Sequence, residues 1–208
     1  MDFNWFLLNL KQLTEEKLGG LEAQFRLAPI MRLKYSEEKI EASNPKKAAV
    51  LALFYPNQQN ETCFLLTQRA SYKGTHSAQI SFPGGKVEEA DLNLAHTALR
   101  ETYEEVGVDQ DKITIIREIT DVYIPPSNFL ATPFLAYSDT KPTLKTNHEV
   151  AHTFDVKVAD LLDDSNISSI NINTSYAKNI NVPCFKLNDY IVWGATAMIL
   201  NEIKELLK

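Results

Sequence analysis

Apolar residues change their period along this chain, and the changes mark out its elements. Phe3, Phe6, Leu7, Leu10 and Leu13 recur at three- and four-residue steps before Gly19-Gly20, which predicts an amphipathic helix over residues 1 to about 20. Its apolar face is expected to dock on the chain's own core. Residues 21 to 46, with Pro29 and the stretch SEEKIEASNPKK, hold no sustained period and read as an irregular lead-in. Ala48 to Tyr55 (AAVLALFY) is a continuous apolar run ended by Pro56 and Asn57, as expected of a strand buried on both faces. The polar PNQQNE turn joins it to Thr62–Thr67 (TCFLLT), so the two predict a hairpin.

Further on, Ala95, Ala98, Leu99, Thr102 and Val106 fall with Leu94 on one stripe at about 100° per residue, predicting a helix over residues 92 to 106. Gly107 supplies its stop, because glycine tolerates the left-handed conformation in which many helices end. Lys112 to Ile119 alternates like a strand, and VYIPPSNFLATPFLAY holds another strand interrupted by Pro125-Pro126. DTKPTLKTN is a polar connection, and His148 to Val158 reads as a strand and turn. Residues 164 to 180 are rich in Ser and Asn and read as a flexible β-hairpin or loop. VPCFKLNDYIVWG gives a strand and turn, and Ala195 to Leu207 a closing amphipathic helix. Strands interleaved with so few helices are consistent with an α/β class, which periodicity alone does not choose. With no internal repeat and no linker, residues 1–208 are expected to form one domain, a core at 47–205 preceded by the helix and lead-in at 1–46.

Composition narrows the function classes. A chain of 208 residues, 44% hydrophobic and 23% charged, can bury a core. Its net charge of −6 argues against non-specific nucleic-acid binding, which needs a basic surface. Cys63 and Cys184 sit in strand-like apolar runs without metal-ligand spacing, as reduced core cysteines do. No apolar run approaches the roughly 20 residues of a membrane span, and the first residues lack a basic signal-peptide start. A cytoplasmic protein with no membrane partner is expected.

The chemistry gathers between Ser81 and Val108. Glu101, Glu104 and Glu105 stand at i, i+3 and i+4, so their carboxylates project from adjoining turns of the expected helix. Glu101 and Glu105 flank Leu94 at the margin of the apolar stripe, whereas Glu104 lies on the polar side with Thr97 and Arg100. Like charges at this spacing cost about 0.2–0.5 kcal/mol per pair in water and more when desolvated, so a cation is expected to neutralise them. Mg²⁺ or Mn²⁺ suits all-oxygen ligands and keeps waters for a phosphate substrate. Ahead of the helix, Gly84-Gly85 permits close backbone approach and a main-chain carbonyl ligand, and Lys86 is a candidate phosphate partner.

PGGK followed by RETYEEVGV resembles the signature of the Nudix hydrolases, which cleave diphosphates linking a nucleoside to another group. The spacing from Gly85 to Arg100 is one residue longer than usual, with Asp91 near the place of the first glutamate, and that lengthening resembles the coenzyme A pyrophosphatase branch. The resemblance implies a Nudix α/β/α sandwich with a mixed curved sheet between helices. It further implies Glu101, Glu104, Glu105 and the carbonyl of Gly84 as metal ligands, with Arg100 orienting the glutamates. Glu101, Glu105 or Glu149 is the implied catalytic base; Glu149, after a short polar connection, is the best candidate outside the helix.

A second signature of the same branch is similar to the segment from Leu65 to Gly85. Leu65, Leu66, Thr67, Arg69, His76, Gln79, Phe82, Pro83, Gly84 and Gly85 match, while Ala70, Gly74 and Ala78 depart from the expected serine, arginine and glycine. Lys73 stands one position before the missing arginine. SNFLATPF, Glu149-Val150 and WGATA (193–197) resemble further segments of the branch. Arg69, Lys73, His76, Lys86 and Phe129 are thereby implied as substrate contacts, with Tyr123 able to stack on a base. The implied substrate is a small nucleotide, coenzyme A or an acyl derivative, cleaved to 3′,5′-ADP and 4′-phosphopantetheine. Another nucleoside diphosphate such as ADP-ribose, or a non-catalytic ligand-binding module, stays open.

Overall fold

In the computed structural model, which describes residues 1–70, 79–173 and 179–208, the N-terminal apolar period forms two short helices instead of one. These are α1 (Phe3–Leu8) and α2 (Leu10–Glu15). Asn9 separates them: its side-chain amide donates to the Trp5 carbonyl at 2.7 Å, competing with the helical ladder. Phe3, Phe6 and Leu13 still bury in the core as the spacing predicts. The lead-in is more structured than its lack of period suggests, with α3 (Gly20–Phe25), a 3₁₀ turn at Ile30–Lys34 and α4 (Glu37–Ala42).

The main sheet begins with β1 (Lys46–Pro56), whose continuous apolar run is buried on both faces. Ala49, Leu51, Leu53 and Tyr55 join one hydrophobic cluster, and Ala52 and Phe54 the other. It pairs antiparallel with β2 (Thr62–Arg69) in the expected hairpin, with Phe54 opposite Phe64. Then come β3 (Ile80–Ser81), which pairs with β2, and β4 (Gly84–Lys86), which pairs antiparallel with the first half of β1. Helix α5 (Leu94–Val106) follows, close to its expected bounds. After β5 (Thr114–Glu118), β6 (Val122–Ile124) and β7 (Phe129–Tyr137) form a hairpin. Pro125-Pro126 therefore opens a turn between two strands, where the sequence suggested an interruption within one. Asn128 closes that turn at φ 52°. β7 runs parallel to β1 from Lys46↔Phe129 to Phe54↔Tyr137, which makes the sheet mixed. β8 (Val150–Lys157) completes it beside β2.

Beyond α6 (Val158–Leu162), the strands β9 (Ile167–Ile172), β10 (Ile180–Leu187) and β11 (Tyr190–Trp193) make a separate three-stranded antiparallel sheet, in which the antiparallel pair β9 and β10 answers to the hairpin expected from residue 164 to 180. Helix α7 (Ala195–Leu206) closes the chain. α5 packs through Ala98 and Val106 on one face of the main sheet, and α7 packs through Met198, Ile199 and Ile203 on the other, together with Phe3 and Phe6. Helix α7 is amphipathic as expected, yet its polar side is covered as well, with Asn201, Glu202 and Lys204 buried. Cys63 and Cys184 are buried and free. Among the described residues no helix is long and apolar enough to cross a membrane.

Candidate active site

The glycine turn is shaped by what it touches. Pro83 O accepts from Leu51 N at 2.9 Å and Lys47 O from Val87 N at 3.2 Å, so the alternation of an antiparallel pair turns the polar groups of Gly84 and Lys86 away from β1. They face α5 instead: Gly84 N donates to Glu105 Oε2 at 3.1 Å, and Lys86 O accepts from Arg100 Nη2 at 3.0 Å. Gly84 has φ +151°, and a Cβ there would lie 2.3 Å from Ala49 O. A Cβ on Gly85 would lie 2.4 Å from the Glu101 carboxyl carbon. Both positions require glycine, and the second brings backbone directly beneath a catalytic candidate.

Helix α5 is fixed at both ends. Asn93 caps its start by accepting from His96 N at 2.9 Å, and Gly107 ends it at φ 72°. Arg100 then organises the acids. Its Nε and Nη2 grip the two oxygens of Asp91 at 2.9 and 3.0 Å, while Nη1 reaches Glu101 Oε1 at 3.0 Å and Glu104 Oε2 at 3.4 Å. Asp91, with its side chain fully buried, also accepts from Glu88 N and Thr97 Oγ1. The bidentate guanidinium holds its carboxyl far below the usual carboxylate range. Thr97, placed by the helical wheel on the polar side, is buried because the Asp91 loop folds over it.

The glutamates fare differently. Glu104 is 52% exposed and turned to Arg100. Burial raises the pKa of Glu101, opposed by Arg100. Burial pushes Glu105 up to about 7, against a hydrogen bond from Gly84, with the charges of Glu101 and Glu149 adding to the rise. Glu149 thus faces both helix acids from the loop before β8. That loop is tied to α5 through Lys145 N to Val106 O at 2.8 Å and Asn147 N to Glu105 O at 3.0 Å. Arg69, at the end of β2, pairs with Glu149 at 3.3 Å, and Ala70 N donates to Glu149 O at 2.7 Å.

Glu101, Glu105, Glu149, Arg69 and the glycine turn are therefore brought together. Lys86 is exposed on β4, and its carbonyl is engaged by Arg100. Phe129 stands two strands away, with Lys46 Nζ 6.0 Å from its ring. Lys73 and His76 lie outside the described residues. The donor set suits a hard divalent cation: two largely buried carboxylates and a carbonyl off the ladder, with Glu105 making no ion pair among the described residues. Also among the described residues, no three His, Cys, Asp or Glu side chains converge as an ion would gather them, Glu101 and Glu104 being turned onto Arg100. Sequence reasoning placed Asp91 only by position; its buried grip on Arg100 is signalled by nothing in the local pattern.

Residues 45–171, more than half of the chain, match the NUDIX domain family. The chain belongs to the Nudix family. It is 30% identical over 180 residues to the uncharacterised Nudix hydrolase NudL of Enterobacter sp. (strain 638), covering 84% of this chain and 88% of that protein. It is 29% identical over 201 residues to the chloroplastic Nudix hydrolase 22 of Arabidopsis thaliana, covering 93% of this chain and 62% of the relative. The mitochondrial Nudix hydrolase 15 of the same plant is 30% identical, with 75% and 56% covered. This Nudix chain spans only about three-fifths of those two plant proteins. Its fold matches the NUDIX domain of Shewanella oneidensis NrtR, solved with ADP ribose, at a TM-score of 0.52 and 15% identity, covering 85% of this chain and 96% of that one. A MutT/nudix protein from Enterococcus faecalis gives the same TM-score at 16% identity, with 84% and 64% covered. The expected Nudix architecture, a mixed sheet flanked by helices, is the one observed.

Proposed function

We propose that this Nudix chain is a metal-dependent diphosphatase that cleaves coenzyme A, or an acyl derivative, to 3′,5′-ADP and 4′-phosphopantetheine. The observation that carries the hydrolytic reading is Glu105, a buried carboxylate on α5 with one backbone donor among the described residues, set beside Glu101 over the glycine turn and faced by Glu149. The coenzyme A assignment rests on LLTQR, SFPGG, SNFLATPF and WGATA. Mg²⁺ or Mn²⁺, held by Glu101 and Glu105 with Glu104 and the Gly84 carbonyl as further ligands, would neutralise charge developing on the diphosphate oxygens and acidify water.

The chain's own groups do the rest. Arg100, locked by Asp91, fixes the direction of Glu101. Glu149 takes the proton of the attacking water as its oxygen bonds to phosphorus and the anhydride P–O bond breaks, the electron pair leaving with the departing phosphate. Arg69 holds Glu149 in the free protein and offers its guanidinium to the incoming diphosphate. Lys86 lies beside the same turn for a phosphate, Phe129 lines the route of the pantetheine arm, and Lys73 and His76 are assigned to the coenzyme A phosphates.

The test is a substrate panel with Mg²⁺ and with Mn²⁺, products identified by mass. Coenzyme A is expected to turn over faster than ADP-ribose or nucleoside triphosphates, and a chelator to abolish turnover. A second reading, hydrolysis of another nucleoside diphosphate such as ADP-ribose, is favoured by the departures at Ala70, Gly74 and Ala78, and faster cleavage of ADP-ribose would establish it. Binding without turnover of any member would leave a ligand-binding module.

A further inference from the structure

An open sheet edge is a template for another strand, and folded proteins blunt it with charge, proline, bulges or cover. The borders of the main sheet are blunted in these ways. On β5 the register shifts between Ile115 and Arg117, and Arg117 Nη1 ties the strand to the end of α2 through Thr14 O at 2.9 Å and Glu16 O at 2.8 Å. Arg32 from the lead-in donates to Tyr123 O on β6. On β8, Asn188 Nδ2 donates to Asp155 O at 2.9 Å, and Lys157 ends the strand in an ion pair with Glu61 at 2.8 Å. In the smaller sheet, β11 is only 4 residues long.

Strand β9 carries none of these guards. From Ser165 to Ala177 the sequence has no charge and no proline, and β9 pairs with β10 without a shift of register. Among the described residues no strand lies on its outer side. Pro183 of β10 decides which backbone groups of β9 face outward. It stands opposite Ser169 and has no N–H to give, so this pair is not hydrogen-bonded, and the ladder bonds fall to Ser168 opposite Cys184 and Ile170 opposite Val182. The N–H and C=O of Ser169 and Asn171 therefore point to the open edge, where no backbone partner meets them among the described residues. The Ile167 carbonyl points the same way, while its N–H is taken by Asp164 O.

This edge is complementary to itself. About a two-fold axis through Ser169, two copies of β9 run antiparallel with Ser169 opposite Ser169 and Asn171 opposite Ile167. Each Ser169 N–H then meets the other copy's Ser169 O, and each Asn171 N–H the other copy's Ile167 O. Ile170, half-buried in one copy, comes diagonally across from its own equivalent on the inner face. The chain as a whole carries −6, yet this uncharged strand brings no repulsion to the contact. We propose that β9 is a homodimerisation edge, joining the small sheets of two copies into one continuous antiparallel sheet across an isologous contact.

Sedimentation velocity of the full chain over a concentration series tests this without reference to turnover. A reversible monomer–dimer equilibrium is expected. Ser169→Lys and Ser169→Asp each set like charges face to face at the axis, and each should weaken self-association about tenfold or more, with the melting temperature of the dilute protein unchanged at this exposed position. An equimolar mixture of the two variants should recover the dimer, because opposite charges then meet. Asn171→Pro, which removes an outward N–H and spares the ladder to β10, should weaken the dimer as well. A monomer at every concentration would overturn the proposal and leave the edge to a foreign strand or to none. A dimer indifferent to Ser169→Lys would place the contact on another surface, and Lys and Asp variants that stay apart when mixed would exclude pairing about Ser169; either result overturns it too.

Discussion

The two faces of the main sheet treat buried charge in opposite ways. On α7, the fully buried Glu202 accepts from Gly20 N at 3.0 Å, Gln24 Nε2 at 2.9 Å and Thr120 Oγ1 at 2.6 Å. Lys204 donates to Leu161 O at 2.8 Å and pairs with Asp164 at 2.9 Å. On α5, the Glu105 carboxylate receives one hydrogen bond among the described residues, and burial lifts its pKa to about 7. Saturated charge on α7 fastens the lead-in and the β5–β6 connection to the last helix of the chain. Charge left short of donors on α5 is free to take a ligand. On the proposed reading, the candidate functional acid is set apart from the structural one not by burial but by the number of donors around it.

Two substitutions separate the faces. Glu105→Gln keeps the shape and removes a charge, so turnover should fall by about 10³-fold or more with the fold retained, measured as steady-state hydrolysis beside circular dichroism. Glu202→Ala strips the shared acceptor from three donors and should lower unfolding free energy by about 3 kcal/mol in a denaturant titration, while the kcat of the folded enzyme stays within a few-fold. If Glu202→Ala abolished turnover, or Glu105→Gln unfolded the chain, the two faces would not differ as stated.

The pH dependence of the metal-free protein sharpens the contrast. Glu105 rises from 4.5 to about 7 in the folded state, so between these values the native protein binds more protons than the unfolded chain. Stability contributed by this group is therefore full below about 4.5 and lost as pH rises through 7, by about 3 kcal/mol in all. Chelator-treated wild type should melt progressively lower across that window, and Glu105→Gln should flatten the profile. Parallel profiles for the two would show that Glu105 is not desolvated.

The smallest expected effect tests Glu149, which is 43% exposed and held by Arg69. As a base that only takes a proton, its change to Gln should lower kcat by about 10²-fold and leave the half-saturating Mg²⁺ concentration nearly unchanged. A rate within a few-fold of wild type would return proton removal to the helix acids.

Local pattern carried much of this protein. The unbroken apolar run and length of AAVLALFY marked a central strand buried on both sides, because a strand between two helical layers has no polar face. The three- and four-residue spacing of the α5 stripe, closed by Gly107, fixed the helix and put Glu101 and Glu105 at its margin. Only the tertiary structure decided which acids lack donors. Arg100 reaches Asp91 nine residues back, and Glu149 comes to α5 because Asn147 and Lys145 bond to the helix end. The same holds for α7, whose Glu202 looks solvated on a wheel but meets Gly20 and Gln24 from 182 and 178 residues away. Periodicity registers which side of a helix is apolar. Whether its polar side meets water, a donor or a ligand depends on distant segments that leave no trace in the local pattern.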